Sequence, residues 1–359
     1  MYRRVLLGIV GALTVVLLSP CLAFAVAPAI SAGGWHAVVL KSNGSLWAWG
    51  NNSSGQIGDG TKTNRLSPKK ISGTMRWKAV SAGGIHTLAI AADGSLWGWG
   101  DNRFGQLGVG DLRTRTTPVR ISAARNWTLV VAGLQRSFAA RSDGTLWGWG
   151  ENGNYELGLG DQDNRATPTL LSAFGGWQAV GSEMAATFAL KTSGIMYWLG
   201  SQMTPQLLDD SEDWADVSCG ESHALALKTD GSLWTWGFGT AGELGRSGDY
   251  YTPGKVGTAR NWTMPCGGSM HSAGLRTSGS LWTWGSSQYG QLGLGTVKSR
   301  RYPTRVGTAT NWRLVDCGMD FTLAAKANGT VWAWGQGGCL GIGDKAKRTK
   351  PARVPIVLR

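Results

Sequence analysis

The chain has 359 residues, including 55 Gly and 20 Trp, and only 16% are charged. Charge is too sparse and aromatic content too high for a disordered polymer, and the length is ample for a sizeable core. The formal net charge of +13 makes acidic partners or surfaces the natural counterparts.

At the N-terminus, Tyr2-Arg3-Arg4 is a short basic stretch, Val5–Leu18 an apolar run and Ala23-Phe24-Ala25 an Ala-x-Ala cleavage site. This arrangement predicts a signal peptide over 1–25, with Val26 starting the mature chain. The run is short for a bilayer span, which takes roughly 20 residues. The alternatives are a retained anchor and a lipidated Cys21, against which the preceding Pro20 argues. No later segment is apolar enough for long enough to span a membrane. The mature protein is therefore expected to be exported, periplasmic or extracellular.

The remainder is a repeat. Ser95-Leu96-Trp97-Gly98-Trp99-Gly100 recurs at Ser45–Gly50, Thr145–Gly150, Ser232–Gly237, Ser280–Gly285 and Thr330–Gly335, with a worn copy at Ile195–Gly200. A leading Trp precedes six of these seven copies by 20 residues, as in Trp77/Trp97 and Trp127/Trp147. The other part of the unit carries all the length variation, as expected of a loop. Within one unit, Trp77–Gly83 reads as a strand ending in a glycine turn and His86–Ile90 as a second strand. Asp93-Gly94 is a hairpin turn, and Leu96–Trp99 a third strand. The loop Asp101–Asp111 follows, and Thr117–Ile121 is a fourth strand, with Pro118 where a missing N–H is tolerated. Seven four-stranded units with a period near 50 predict an all-β fold, a seven-bladed β-propeller of four-stranded antiparallel blades. Residues 26–359 form this single domain, and the fourth repeat is shortened. The leading tryptophans are expected to pack between blades. The first unit lacks one, and the last residues, ending at Leu358, are expected to close the ring beside the first blade.

Four cysteines follow the signal. Cys219-Gly220 and Cys317-Gly318 occupy the slot of Ala82-Gly83, and Cys266-Gly267 lies within one residue of it. A slot taking Ala or Cys is small and buried, so free thiols are expected rather than disulfides.

The motifs Gly-x-x-His, Asp-Gly-x-Leu-Trp-x-Trp-Gly and Asn-x-x-Gly-Gln-Leu-Gly-x-Gly-Asp, plainest over Gly83–Asp111, resemble the repeat of the regulator of chromosome condensation family. The resemblance spans residues 30–358 and implies a seven-bladed propeller. The family's eukaryotic founder exchanges nucleotide on a nuclear small GTPase through an insertion in one blade. This chain has no such insertion and carries an export signal, so no small GTPase partner is expected. A photosensing Trp site, found in a plant member, is not carried over, because its motif appears only as the degenerate Gly34-Trp35-His36-Ala37.

Catalytic constellations are not visible. His36, His86, His223 and His271 share one repeat slot, which other units fill with Arg136, Ala186 and Phe321. Such a slot is structural, and with no other His neither a Ser-His-Asp triad nor a His metal site is expected. Gly105–Gly110 opens no helix and lacks a Lys, so it is a turn and not a phosphate loop. Asp209–Asp213 reads as a solvated acidic loop, with weak cation binding as the alternative. No catalytic residue, cofactor or metal is expected.

Two features point to binding. The fourth unit lacks most of its Gly-Gln-Leu-Gly loop, which would notch the face where the first-to-second turns and third-to-fourth loops meet. Charge is also segregated. Residues 127–257 carry 7 Lys+Arg against 15 Asp+Glu, whereas the remaining mature residues carry 26 against 7. A closed ring would then have an acidic arc and a basic arc that steers anionic partners. Candidate contacts are the basic Lys62, Arg65, Arg103, Arg113, Arg115, Lys298, Arg300, Arg301, Lys345, Lys347 and Arg348, and the loop aromatics Phe104, Tyr155, Phe238 and Tyr289. The expected function is a non-enzymatic exported binding module for a protein or an anionic cell-envelope polymer. The alternatives are an inhibitor of a secreted enzyme or an enzyme acting on an anionic polymer. Nucleic acid is disfavoured by export and by the lack of a groove-entering helix.

Overall fold

The structure, a computed structural model, describes residues 27–71, 73–172, 175–182, 186–200 and 206–359. The expected signal peptide and Val26 lie outside them. The described chain forms seven four-stranded antiparallel sheets in which each strand pairs with the next in sequence. The first comprises β1 (Ala29–Ala32), β2 (His36–Leu40), β3 (Leu46–Gly50) and β4 (Arg65–Lys70), the second β5 (Trp77–Ala82), β6 (His86–Ala91), β7 (Leu96–Gly100) and β8 (Arg115–Arg120). The first strand of each sheet is innermost, and β1 packs against both β5 and the innermost strand of the last blade, Trp312–Cys317, so the ring is closed. Among the described residues no helix is long and apolar enough to cross a membrane.

Hairpin chemistry sets each blade's register. At Asp93-Gly94, Gly94 has φ +83° and the Asp93 carboxylate accepts the Ser95 N–H at 3.0 Å. Ser95 Oγ then accepts the Trp97 indole N–H at 2.8 Å. Trp97 meets the leading Trp77 edge-on at 6.1 Å between ring centres. Trp77 also packs with Val38, Leu40 and Leu46 of the first blade, so the leading tryptophans seal the seams between blades.

The ring closes by packing, with no strand shared between blades among the described residues. The last strand, Arg348–Val357, stays in the seventh blade. Leu358 then takes the backbone role of the missing leading Trp. Its N–H donates to the Gly329 carbonyl as the Trp77 N–H does to Gly44, and its carbonyl accepts from the Ser42 N–H at 2.8 Å, as that of Arg76, the residue before Trp77, does from Ala92.

The cysteine expectation is corrected in part. Cys339 is a free, buried thiol, but Cys266 and Cys317 form a disulfide with Cα atoms 5.7 Å apart. The one-residue offset is the reason. Ser31 and Ser81 of the innermost strands face the next blade, where their Oγ atoms accept the backbone N–H of Ala82 and Ala132 at 3.0 Å. Cys266 occupies the Ser slot and Cys317 the Ala slot of adjacent blades. A covalent bond therefore replaces that hydrogen bond between the sixth and seventh blades.

Candidate functional site

Strand alternation gathers the first-to-second turns and the third-to-fourth loops on one face. Five of the loops on that face are held by the following blade. Trp99, fully buried, donates its indole N–H to the Gln56 carbonyl of the preceding loop at 2.9 Å. Trp149, Trp284 and Trp334 do the same to Gln106, Glu243 and Gln291, and Trp49 to Cys339 across the closing seam. The same carbonyl anchors a second contact. Thr87 Oγ1 donates to the Gln56 carbonyl at 2.8 Å and lies 2.9 Å from His36 Nε2. Because the hydroxyl's single proton is committed to Gln56, His36 must donate through Nε2–H.

His86–Ser137, His223–Ser272 and His271–Thr322 repeat this relay between successive blades. Burial lowers the pKa of His36, His86 and His271 to about 3 and of His223 to about 4, so all four are neutral. A Cβ on Gly33 would stand 2.6 Å from His36 Cε1, which is why Gly precedes His by three residues. The histidines thus fix the loop face from within.

The ring interrupts this polar scheme in three places. In the third blade Arg136 replaces His and Glu156 replaces Gln, and the two form a fully buried ion pair at 2.9 Å. Between the seventh and first blades the slots hold Phe321 and Ala37, both fully buried. Between the fourth and fifth they hold Ala186 and Ala224, also buried.

The basic candidates divide into two groups. Arg65, Arg115 and Arg348 open outermost strands and bind the acid of their own loop, at 2.6 Å to Asp59, 2.7 Å to Asp111 and 2.6 Å to Asp344. Arg165 and Asp161 of the acidic arc make the same pair, so this is a loop-forming contact of the repeat. The Arg115 bond holds Asp111 below the usual carboxylate range, and the Ala346 N–H, with the Arg348 bond, does the same for Asp344. Arg103 pairs with Asp101 yet stays 67% exposed. Lys62, Arg113, Lys298, Arg301, Lys345 and Lys347 are exposed. Arg300 sits in the strand-opening slot, but Thr296 replaces the Asp there, and Arg300 instead donates to the Lys298 and Ser299 carbonyls.

The aromatic candidates also divide. Phe104 and Tyr289 are half-buried, and their N–H groups are bound by the Gln106 and Gln291 side chains, which marks them as parts of the loop. Tyr155 and Phe238 flank the shortened fourth blade, and both break the repeat. Tyr155 occupies the slot of Gly55 and Gly105 and is the single non-glycine residue with positive φ, +64°, among the described residues. At Gly55 and Gly105 a Cβ would meet the outermost strand of the next blade, with Thr116 and Ala166 Cα atoms at 2.7 Å. The described part of the fourth blade's outermost strand is Gln206–Leu207 alone. A left-handed tyrosine costs on the order of 1 kcal/mol, and such strain concentrates at functional positions.

Across the shortened blade, Trp236 has a buried indole N–H with no partner among the described residues, and the fourth unit's sequence lacks the Gly-Gln-Leu-Gly loop whose carbonyl accepts the equivalent indoles. Phe238, 61% exposed, replaces the Asn51/Asp101 polar slot, and Tyr251 of the same loop is 80% exposed. Sequence reasoning missed Tyr251, and Tyr155 as a strained residue. The signal for the latter was available, since Tyr155 stands where other units have Gly.

A charge-segregated face with an aromatic notch is suited to binding, and the four histidines are sequestered from it. No group of His, Cys, Asp and Glu among the described residues could hold a metal ion.

Comparison with known proteins places these features in a family. The pattern of the Regulator of chromosome condensation (RCC1) repeat matches residues 43–90, 93–140, 143–182, 230–275 and 278–325, and a second pattern of that repeat matches 29–56, 77–106, 127–156 and 214–243. Among solved structures, Prp20p from Saccharomyces cerevisiae, described with its binding to Gsp1p and histones, is 19% identical with a TM-score of 0.79. The match covers 94% of this chain and 88% of Prp20p. Human WBSCR16 is 20% identical with a TM-score of 0.73, over 84% of this chain and 87% of its own. The CRINKLY WD40 ectodomain of the Arabidopsis thaliana receptor kinase ACR4 is 14% identical with a TM-score of 0.56, over 93% and 99%. At these identities the likeness shows the fold.

Proposed function

The chain belongs to the Regulator of chromosome condensation (RCC1) repeat family, and from that premise we propose that it is an exported, non-enzymatic protein-binding propeller that anchors its partner at the notch of the fourth blade. The observation that carries this reading is Tyr155, a strained aromatic beside a missing loop, with exposed Phe238 and Tyr251 on the other side. Buried aromatics at the centre of an interface supply most binding energy, while peripheral charge sets approach rate and orientation. The arc containing Lys62, Arg113, Lys298, Arg301, Lys345 and Lys347 steers a partner with an acidic surface. Export is supported by the Cys266–Cys317 disulfide, because such bonds persist in oxidising compartments and are rare in the cytosol.

An inhibitor of a secreted enzyme is the second reading. The clustered exposed aromatics Phe238 and Tyr251 favour it over a diffuse envelope polymer, since a compact aromatic hot spot suits a folded protein surface.

Photocrosslinking tests the proposal. A benzophenone amino acid at Phe238 or Arg103 should capture one and the same partner from envelope and secreted fractions. The same group at Asp143, on the opposite face and away from the first blade, should not. Equal capture from both faces, or none from the loop face, would refute the reading.

A further inference from the structure

In six blades the second or third strand supplies parts of an aromatic stack. The leading Trp stands edge-on to a ring of the third strand, at 5.8 to 6.4 Å between centres. In five of them a cation from the second strand lies over both rings, at 4.1 to 5.4 Å: Arg141, Lys191, Lys228, Arg276 and Lys326. The first blade keeps two members of this set, Trp47 and Lys41. The third member is absent, and Leu358 takes over only its backbone N–H bond. A leucine is much smaller than an indole, and a cleft remains beside Trp47, lined by Lys41, Arg353, Pro355, Ile356 and Val357. Trp47 also lines a second cleft with Pro68, Lys69 and Lys70. Lys41, Lys69, Lys70 and Arg353 enter no ion pair among the described residues.

We infer that this cleft is a binding site for an aromatic side chain presented by an acidic segment of a partner protein. The ring's place is defined by the six other blades, which each put an indole there. The acidic flanks are defined by four cations with no acid to pair them. A desolvated cation over a ring contributes up to about 2 kcal/mol, which makes an indole the best occupant. The cleft lies near the second-to-third hairpin, away from the loop face, so it is independent of the notch.

The test is fluorescence anisotropy of a dye-labelled Glu-Glu-Trp-Glu-Glu peptide with the whole mature protein, against a Glu-Glu-Ala-Glu-Glu control. The Trp peptide should bind saturably and the Ala peptide at least about tenfold more weakly, a 1.4 kcal/mol difference. Trp47→Ala should abolish the difference, and so should Ile356→Trp, which fills the cleft and leaves the Trp47 stack in place. Lys41→Gln should weaken the Trp peptide severalfold. Thermal melts confirm that each variant is folded. Equal binding of the two peptides, or a Trp preference that survives Ile356→Trp in a folded protein, would overturn the inference.

Discussion

Thr87 sits between His36 of the first blade and the Gln56 carbonyl of the same blade's loop, 2.9 Å from the imidazole Nε2 and 2.8 Å from the carbonyl oxygen. One hydroxyl on the second blade thus ties two parts of the first together, and the pattern recurs at three further seams.

The relay predicts pairwise coupling. His271→Phe places an apolar ring against Thr322 and should destabilise by about 1–3 kcal/mol, the usual cost of leaving a buried polar group without its partner. Adding Thr322→Ala recreates the Phe321/Ala37 pair of the closing seam and should recover part of that loss. A double-mutant cycle in urea measures this, and strict additivity would argue against the relay.

Exchange of the third blade's ion pair for the relay chemistry of its neighbours gives a second prediction. Arg136→Ala leaves Glu156 buried and unpaired and should cost about 3–5 kcal/mol. Arg136→His with Glu156→Gln restores the residues of the second blade and should cost much less. Equal losses from the two variants, by thermal melting, would contradict the assignment.

The dependence of stability on pH has two opposing sources. The four histidines fold with pKa values of about 3 to 4, below their unfolded 6.5, so the unfolded state binds more protons and stability falls as pH drops below about 6.5. Burial raises Asp216 to about 7 and Asp316 to about 6 from 3.8. These acids bind more protons when folded, so they erode stability as pH rises from about 4 to about 7. Asp216→Ala should therefore stabilise the protein at pH 8, by on the order of 3 kcal/mol, and have little effect at pH 4. Ala79 and Ala179 hold the same slot in other blades. A gain at pH 4 equal to that at pH 8 would assign the effect to packing alone.

The disulfide offers a substitution taught by the repeat. Reduction should lower stability by about 2–4 kcal/mol, given the 51-residue separation it spans. Cys266→Ser with Cys317→Ala recreates the Ser31/Ala82 contact and should be more stable than the reduced protein. Thermal melts with and without reductant decide this.

Much of the architecture was legible because the repeat is strict. Trp77, Trp97 and Asp93-Gly94 each specify a strand or turn locally, and the blades follow by repetition. What lies between blades was less visible. Cys266 and Cys317 are 51 residues apart, and only the packing of neighbouring innermost strands shows that their one-residue offset points them at each other. Arg65, Arg115 and Arg348 add to the basic arc in sequence, but each is bound to an acid of its own loop, a pairing that charge totals hide. Tyr155 read as an ordinary loop aromatic, because its strain is a property of the backbone in a slot where neighbouring units use Gly.

That residue gives the most direct test of the account. Tyr155→Gly removes the strained aromatic and restores the glycine found at Gly55 and Gly105. Stability and partner affinity of this variant should be measured side by side, using the partner captured through Phe238. The account predicts a stability unchanged or raised, by about 1 kcal/mol, and affinity lowered at least tenfold, with the loss persisting at high salt. A stable variant that binds its partner as tightly as the parent would contradict the proposal that the notch is the binding site.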